Sequence, residues 1–221
     1  LILGGGVIGC EFACLFAELG VEVTVVEMLP QILPQTDGEC AKLLAKLMAG
    51  KGIRILNGTP LTDIRCTARG VSGKVGDETL KADYLLVSIG RKPVTADLNL
   101  PAAGVKTDQR GFIEVDDSFR TSAPNIYAIG DAVGRIMLAH WASAAAGNVV
   151  NTLRGKPEEF TGALTPGRIF TSPEIGTIGK SEEQLRSEGV AYSVGKFPFA
   201  ALGKAMAMNQ TEGFVKILAD A

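Results

Sequence analysis

Residues 1–27, Leu1-Ile2-Leu3-Gly4-Gly5-Gly6-Val7-Ile8-Gly9-Cys10-Glu11-Phe12-Ala13-Cys14-Leu15-Phe16-Ala17-Glu18-Leu19-Gly20-Val21-Glu22-Val23-Thr24-Val25-Val26-Glu27, decide the fold. They read as strand, glycine turn, helix and strand. Ile8, Phe12, Leu15, Phe16 and Leu19 recur at the spacing of one helix face, which the periodicity assigns to a sheet beneath it. Gly20 stops the helix, and the β-branched run Val21–Glu27 is a strand buried in its second half. Gly4-x-Gly6-x-x-Gly9, with Glu27 placed 18 residues past Gly9, carries chemistry. In such a unit the first glycine makes the tight turn, the second lets backbone approach a pyrophosphate, and the third brings the helix close to the strand. The helix N-terminus adds free N–H donors and a partial positive charge. Glu27 is placed to accept hydrogen bonds from both hydroxyls of an adenine ribose and would repel a 2′-phosphate, so NAD is expected over NADP. The alternative is a glycine turn with no ligand.

Further along, Pro30 and Pro34 forbid regular structure until a helix over Glu39–Ala49, followed by a strand over Ile53–Leu56. Leu61–Ala82, broken by Gly70, Gly73 and Gly76, predicts an antiparallel meander. Gly73-Lys74 is followed by Val75 rather than Ser or Thr, which excludes a P-loop. Tyr84–Ile89 predicts a buried strand running into Gly90, a place where backbone could touch a nucleotide, or a plain turn. Gly111–Val115 reads as a hairpin strand, Asn125–Ile129 as a strand entering Gly130-Asp131, and Leu138–Leu153 as a helix. The Asp131 carboxylate suits a polyol hydroxyl; the alternative is a turn or capping aspartate. Arg154-Gly155-Lys156-Pro157 ends the helix and marks a boundary. Beyond it come strands at 169–171 and 175–178, a capping box at Ser181-Glu182-Glu183-Gln184, and strands at 192–199 and 214–218.

The 221 residues, 46% of them hydrophobic, are enough for a substantial core, and the mean hydropathy is +0.21. With 22 basic and 24 acidic residues the net charge is -2, which offers nucleic acid no electrostatic footprint. No apolar run approaches the roughly 18 residues of a membrane helix and no signal peptide opens the chain, so a cytoplasmic protein without membrane or nucleic-acid partners is expected. Cys10, Cys14, Cys40 and Cys66 include no C-x-x-C pair and, with one histidine, no ordinary zinc set; they read as reduced thiols. Leu1-Ile2-Leu3 is only the tail of a strand, and the last strand has nothing to close its layer, so the chain reads as an excerpt.

Five stretches in order, GGGVIGCEFACLFAELGVEVTVVEMLPQILP, LLVSIGRKP, RTSAPNIYAIGDAVGRIMLAH, FTSPEIGTIGKSEEQL and GKFPFAALGKAMAMNQTEGFVKIL, span nearly the whole chain. By them it resembles the pyridine nucleotide-disulfide oxidoreductases, flavoproteins with two Rossmann-like lobes and an interface domain, and most closely the dihydrolipoamide-oxidising branch. The resemblance implies an α/β chain of three parts: a Rossmann-like NAD-binding domain at 1–92, the second part of a FAD-binding domain at 93–157, and the start of an α+β interface (dimerisation) domain at 158–221.

It further implies that Gly4, Gly5, Gly6, Val7, Ile8 and Gly9 hold the NAD pyrophosphate and Glu27 its adenosine ribose. Glu11 matches a glutamate near the nicotinamide, and backbone around Leu61, where the family usually has valine, flanks the adenine. Asp131 matches the aspartate that binds the FAD ribitol, and Met137-Leu138-Ala139-His140 matches the helix start facing the pyrimidine end of the flavin. The family's redox disulfide, C-x-x-x-x-C, and its catalytic histidine match nothing here: Cys10 and Cys14 read as packing residues, and His140 as structural or flavin-adjacent through its backbone. Implied with these are oxidation of dihydrolipoamide through a disulfide and FAD to NAD, a homodimer, and a lipoyl-bearing protein of a 2-oxoacid dehydrogenase or related complex as partner. The chain alone is expected to be inactive. The alternatives are another superfamily member, such as a mercuric reductase, a soluble transhydrogenase or an NADP-dependent disulfide reductase, and a non-catalytic NAD-binding or dimerisation module.

Overall fold

The computed structural model describes every residue except 157–159, 161, 163 and 221; Pro157 and the boundary expected there lie outside the described residues. The chain forms two compact units, Leu1–Ile89 with Arg168–Ala221, and Gly90–Gly167.

In the first unit β1 (Ile2–Leu3), α1 (Val7–Glu18), β2 (Thr24–Glu27), α2 (Gly38–Gly50) and β3 (Arg54–Asn57) alternate. Three antiparallel strands follow, β4 (Thr62–Thr67), β5 (Gly70–Val75) and β6 (Glu78–Ala82), and then β7 (Leu86–Val87). The parallel sheet has the order β3-β2-β1-β7, with Ile2 level with Val25 on one side and Leu86 on the other. This order is that of a Rossmann half, in which ligands sit at the carboxyl ends of the strands beside the first crossover. The β-branched Val25 and Val26 are fully buried at its centre. Asp37 caps α2, its Oδ1 accepting the Glu39 N–H at 3.0 Å.

The expected sheet-facing stripe of α1 is corrected. Gly9, Cys10, Ala13 and Cys14 are the residues buried against the sheet, while Ile8, Phe12, Leu15 and Leu19 are 39–71% exposed. Gly9 draws the helix so near β1 that only small side chains fit between them, and the larger residues turn outward. The buried strand expected over Tyr84–Ile89 is likewise shorter and more open, since only Leu86 and Val87 pair and Tyr84 is 85% exposed. Among the described residues β7 ends the sheet, paired with β1.

The second unit carries 3-10 turns at Ala96–Leu98, Leu100–Ala103 and Gly130–Val133, then α3 (Ala139–Leu153). Phe119, Trp141 and Ala145 form its core, with the Phe119 and Trp141 rings edge-on at 5.6 Å. The strands expected at 111–115 and 125–129 are reduced to isolated bridges, Thr107 to Ile113 and Arg120 to Tyr127. Asp108 Oδ1 accepts the N–H groups of Arg110 and Phe112, and Asp116 Oδ1 those of Ser118 and Arg120. These side chains take up amides that a ladder would need. On α3, Trp141 and Ala145 are buried as expected, but Val150 and Leu153 are exposed.

The remainder of the first unit is β8 (Gly167–Ile169), β9 (Ile175–Thr177), α4 (Glu182–Glu188), β10 (Tyr192–Pro198), α5 (Gly203–Ala207) and β11 (Phe214–Asp220). The capping box forms: Ser181 Oγ accepts the Gln184 N–H and Gln184 Oε1 accepts the Ser181 N–H. β10 and β11 pair antiparallel with Lys196 opposite Lys216, a like-charge pair that on its own repels. Glu39 of α2 bridges the two, at 2.7 Å from Lys196 and 3.0 Å from Lys216. Lys216, only 7% exposed at its side chain, also meets Asp37 at 2.9 Å and Glu182. Burial lowers its pKa, but hydrogen bonds to Glu182, Asp37 and Glu39 outweigh that and hold it above the usual lysine value. In return Lys216, and then the Tyr192 hydroxyl, hold the Glu182 carboxyl down to about 2 from 4.5.

Glu182 has a folded pKa below its unfolded one, so its contribution is complete above pH 4.5 and fades as pH falls toward 2. Lys216→Met leaves three carboxylates facing one another and is expected to cost about 2 kcal/mol, between the exposed and buried limits for a broken ion pair. Thermal melts between neutral and acid pH check both statements: the variant melts lower at neutrality, and the gap to the parent narrows as the carboxylates protonate.

Candidate functional site

The turn from β1 into α1 uses its polar backbone groups in an ordered way. Gly4 N–H donates to the Val26 carbonyl at 2.9 Å, and Gly5 N–H to Glu27 Oε2 at 2.6 Å. The Gly5 carbonyl accepts the Leu33 N–H at 2.8 Å and the Cys10 thiol at 3.3 Å. Gly4 has φ +106° and packs so that a Cβ would stand 2.5 Å from the Ser88 carbonyl oxygen. A Cβ on Gly9 would stand 1.9 Å from the Gly4 carbonyl oxygen. These two glycines are therefore demanded by the protein's own packing.

Gly6 is not. Its φ is -72°, which any residue adopts, and a Cβ there would meet nothing within 4 Å. It caps α1 without a side-chain hydrogen bond, and the first intrahelical bond runs from Cys10 N–H to the Gly6 carbonyl at 3.0 Å. Val7, Ile8 and Gly9 thus present helix-start N–H groups with no intrahelical acceptor, at the positive end of the macrodipole and with no acidic residue in the first turn. Open space in front of bare amides is what an anionic group needs.

Glu27, 8% exposed at the end of β2, has both oxygens engaged: Oε2 with Gly5 N–H, and Oε1 with the Leu29 N–H at 2.7 Å. Each oxygen keeps a further lone pair for a hydroxyl. Sequence reasoning gave Glu27 a ligand role and missed this second one, which anchors the glycine turn. Leu61 buries its side chain with Val26 and Leu80, which leaves that side chain in the core. Glu11, half-buried on α1, accepts the Phe170 N–H at 2.8 Å and so ties α1 to the segment after β8. Cys10 and Cys14 are buried; burial, then Cys14, Glu27 and Glu11, push the Cys10 thiol up to about 12, which keeps it neutral.

The second unit holds the other expected residues. Gly90, at φ +126°, faces open space. Asp131 Oδ2 accepts from Arg91 at 2.7 Å; both side chains are about half exposed, and such a pair contributes about 0–1 kcal/mol, too little to lock the carboxylate. Met137 and Leu138 are half-buried and Ala139 and His140 exposed. α3 begins there without a side-chain cap, its first bond running from Ala142 N–H to the Leu138 carbonyl. His140 Nε2 donates to the Pro166 carbonyl at 2.7 Å, which fixes the ring as a structural tie. The structure thus gathers Gly4–Gly9, Glu11, Glu27 and Leu61 in one unit, and Gly90, Asp131 and 137–140 in the other. Among the described residues no cluster of His, Cys, Asp and Glu could hold a metal ion, and no helix is long and apolar enough to cross a membrane.

Residues 1–146 match the profile of the family described as pyridine nucleotide-disulphide oxidoreductase, and residues 165–221 that of its dimerisation domain. Dihydrolipoyl dehydrogenase 3 of Pseudomonas putida is 44% identical over all of this chain and 48% of its own length. The dihydrolipoyl dehydrogenase of Cupriavidus necator is 41% identical, again over 100% of this chain and 48% of its own length. Among solved structures, the HOCl-induced flavoprotein disulfide reductase RclA of Escherichia coli superposes with a TM-score of 0.90 at 33% identity, covering 99% of this chain and 51% of that one. LpdA of Mycobacterium tuberculosis gives 0.91 at 29% identity, covering 100% and 48%. The chain spans about half the length of the relatives it matches.

Gly9, Gly6 and Glu27 separate by experiment. Gly9→Ala drives a methyl into backbone and is expected to cost about 3 kcal/mol or more, whereas Gly6→Ala should change stability by less than about 0.5 kcal/mol. Glu27→Gln points an amide N–H at a backbone N–H and is expected to cost about 1–3 kcal/mol. Chemical denaturation of the three variants beside the parent gives the ranking.

Proposed function

Because the chain belongs to the pyridine nucleotide-disulphide oxidoreductase family, we propose that it is the NAD-binding and interface-forming portion of a flavoprotein that oxidises dihydrolipoamide. The observation that carries the reading is the turn at Gly6: open space, three bare helix-start amides and a flanking carboxylate, all at the carboxyl ends of β1 and β2. Val7, Ile8 and Gly9 donate their N–H groups to a pyrophosphate, and Gly6 gives it room. Glu27, already held by Gly5 and Leu29, offers its remaining lone pairs to the adenosine ribose and repels a 2′-phosphate. Backbone at Leu61 flanks the adenine, and Glu11 lies toward the nicotinamide end.

In the second unit Asp131 binds a ribitol hydroxyl once Arg91 releases it, and Gly90 leaves room for nucleotide. The bare amides at 138–140 stabilise negative charge on a reduced flavin ring. FAD, when bound, carries an electron pair from a dithiol to NAD, which accepts it as hydride. The dithiol side of that reaction needs a cysteine pair spaced C-x-x-x-x-C and a catalytic histidine, which these 221 residues do not supply. The division into 1–92, 93–157 and 158–221, a homodimer through the last part, a lipoyl-bearing protein as partner and a cytoplasmic location complete the proposal. The relatives at 44% and 41% identity bear the dihydrolipoyl dehydrogenase name, which favours that activity over mercuric reduction or transhydrogenation.

Calorimetric titration with NADH and NADPH tests the reading. NADH is expected to bind about tenfold or more tightly than NADPH, the equivalent of about 1.4 kcal/mol. Gly6→Ala is expected to lower NADH affinity by about tenfold without moving the melting temperature. No heat with NADH, or equal binding of both nucleotides, would overturn it. Steady NAD reduction by this chain alone would overturn the assignment of the dithiol chemistry elsewhere.

A further inference from the structure

We infer that Ser88 is a positioning residue for the nucleotide, setting the height of the α1 N-terminus through the Gly4 carbonyl. The inference rests on the nucleotide reading of the glycine turn and concerns a residue that touches no ligand. Ser88 lies just past β7, on the side of β1 opposite β2. Its N–H donates to the Leu3 carbonyl at 2.8 Å, continuing the parallel ladder by one step. Its hydroxyl then lies 3.0 Å from the Leu3 carbonyl oxygen and 3.1 Å from that of Gly4. One O–H proton is shared between two acceptors. Leu3 O already takes the Ser88 N–H, so the acceptor that depends on the hydroxyl is the buried Gly4 carbonyl.

That carbonyl is the surface on which α1 rests. Gly9 approaches it so closely that a Cβ would stand 1.9 Å away, and the same Cβ would stand 2.9 Å from Ser88 Oγ. The Gly4–Gly5 peptide is therefore gripped from two directions: Glu27 Oε2 accepts its N–H, and Ser88 holds its carbonyl. A rotation of this peptide changes the distance at which Gly9, and with it the N–H groups of Val7, Ile8 and Gly9, stand from β1. Those N–H groups make the pyrophosphate site, and hydrogen bonds to a charged group lose strength quickly with distance and angle. A hydroxyl one strand away thus acts on affinity without contacting the ligand. A small hydroxyl at this place also leaves Gly4 its space, since a Cβ there already comes within 3.2 Å of Ser88 Oγ.

The test uses the whole flavin-loaded protein, with Ser88→Ala, Ser88→Thr and Ser88→Cys beside the parent. Ser88→Ala is expected to raise the NADH Kd and the KM for NAD about fivefold, with kcat within about twofold. Ser88→Thr, which restores the hydroxyl, is expected to return the Kd to within about twofold of the parent. Reduction of the bound flavin by dihydrolipoamide without NAD should be unchanged, because it does not use the glycine turn. A Kd for Ser88→Ala within about twofold of the parent, or a loss that Ser88→Thr does not repair, overturns the inference while leaving the nucleotide site intact. A parent that binds no NADH instead refutes the nucleotide reading. Should Ser88→Ala fail to fold, Ser88→Cys, a weaker donor of similar shape, decides: about two- to threefold weaker binding supports the inference and parent-like binding overturns it.

Discussion

The contact between Gly9 and the Gly4 carbonyl is the constraint on which the rest of the first unit depends. A backbone carbonyl occupies the place where a side chain would stand, 1.9 Å from an ideal Cβ. Because of it α1 sits against β1 with only the small side chains of Cys10, Ala13 and Cys14 buried on that face. The same closeness leaves the amides of Val7, Ile8 and Gly9 bare at the mouth of the turn. The residue that lets the helix fit thus also fixes where its first N–H groups stand.

Around that contact the backbone is accounted for group by group. The polar groups of Gly4 and Gly5 are satisfied within the protein by Val26, Ser88, Glu27, Leu33 and Cys10, so the donors left over are those of the helix start. Glu27 illustrates how one carboxylate serves two ends: burial fixes it between two backbone N–H groups, and that fixing presents its remaining lone pairs in a defined direction. The thiols take the opposite course. Burial favours the neutral thiol of Cys10 beside Glu27, and it packs as a small apolar group.

A second organising interaction joins α2 to the carboxyl-terminal hairpin of the same unit. Lys196 and Lys216 face each other across β10 and β11, an arrangement that requires acid between them, and Glu39 supplies it from a distant part of the chain. Asp37 caps α2 with one oxygen and holds Lys216 with the other. A helix cap is thereby also the anchor of a strand 179 positions away. Nothing in the spacing of either segment announces this, because each residue has a sufficient local reason to be where it is.

The amino-acid sequence by itself determined the order of strand, glycine turn and helix, the meander, the capping box and the acid at the end of β2. Each is written in a short-range rule: glycine where φ is positive, β-branched runs for buried strands, a serine and a glutamine three residues apart. It also carried the family, because several such blocks recur in a fixed order. Only the tertiary structure decided which face of α1 is buried, for periodicity favours the largest apolar residues while the distance set by Gly9 admits only the smallest. It alone gave the Phe112 amide in the strand expected at 111–115 to Asp108 and reduced the strand expected at 125–129 to a bridge at Tyr127, since a side chain and a ladder compete for the same amide and the winner depends on what lies alongside. The partners of Glu27, Lys216 and Ser88 belong to this second class as well. Hydrogen bonds between residues far apart in sequence exist only once the sheet order has brought them together.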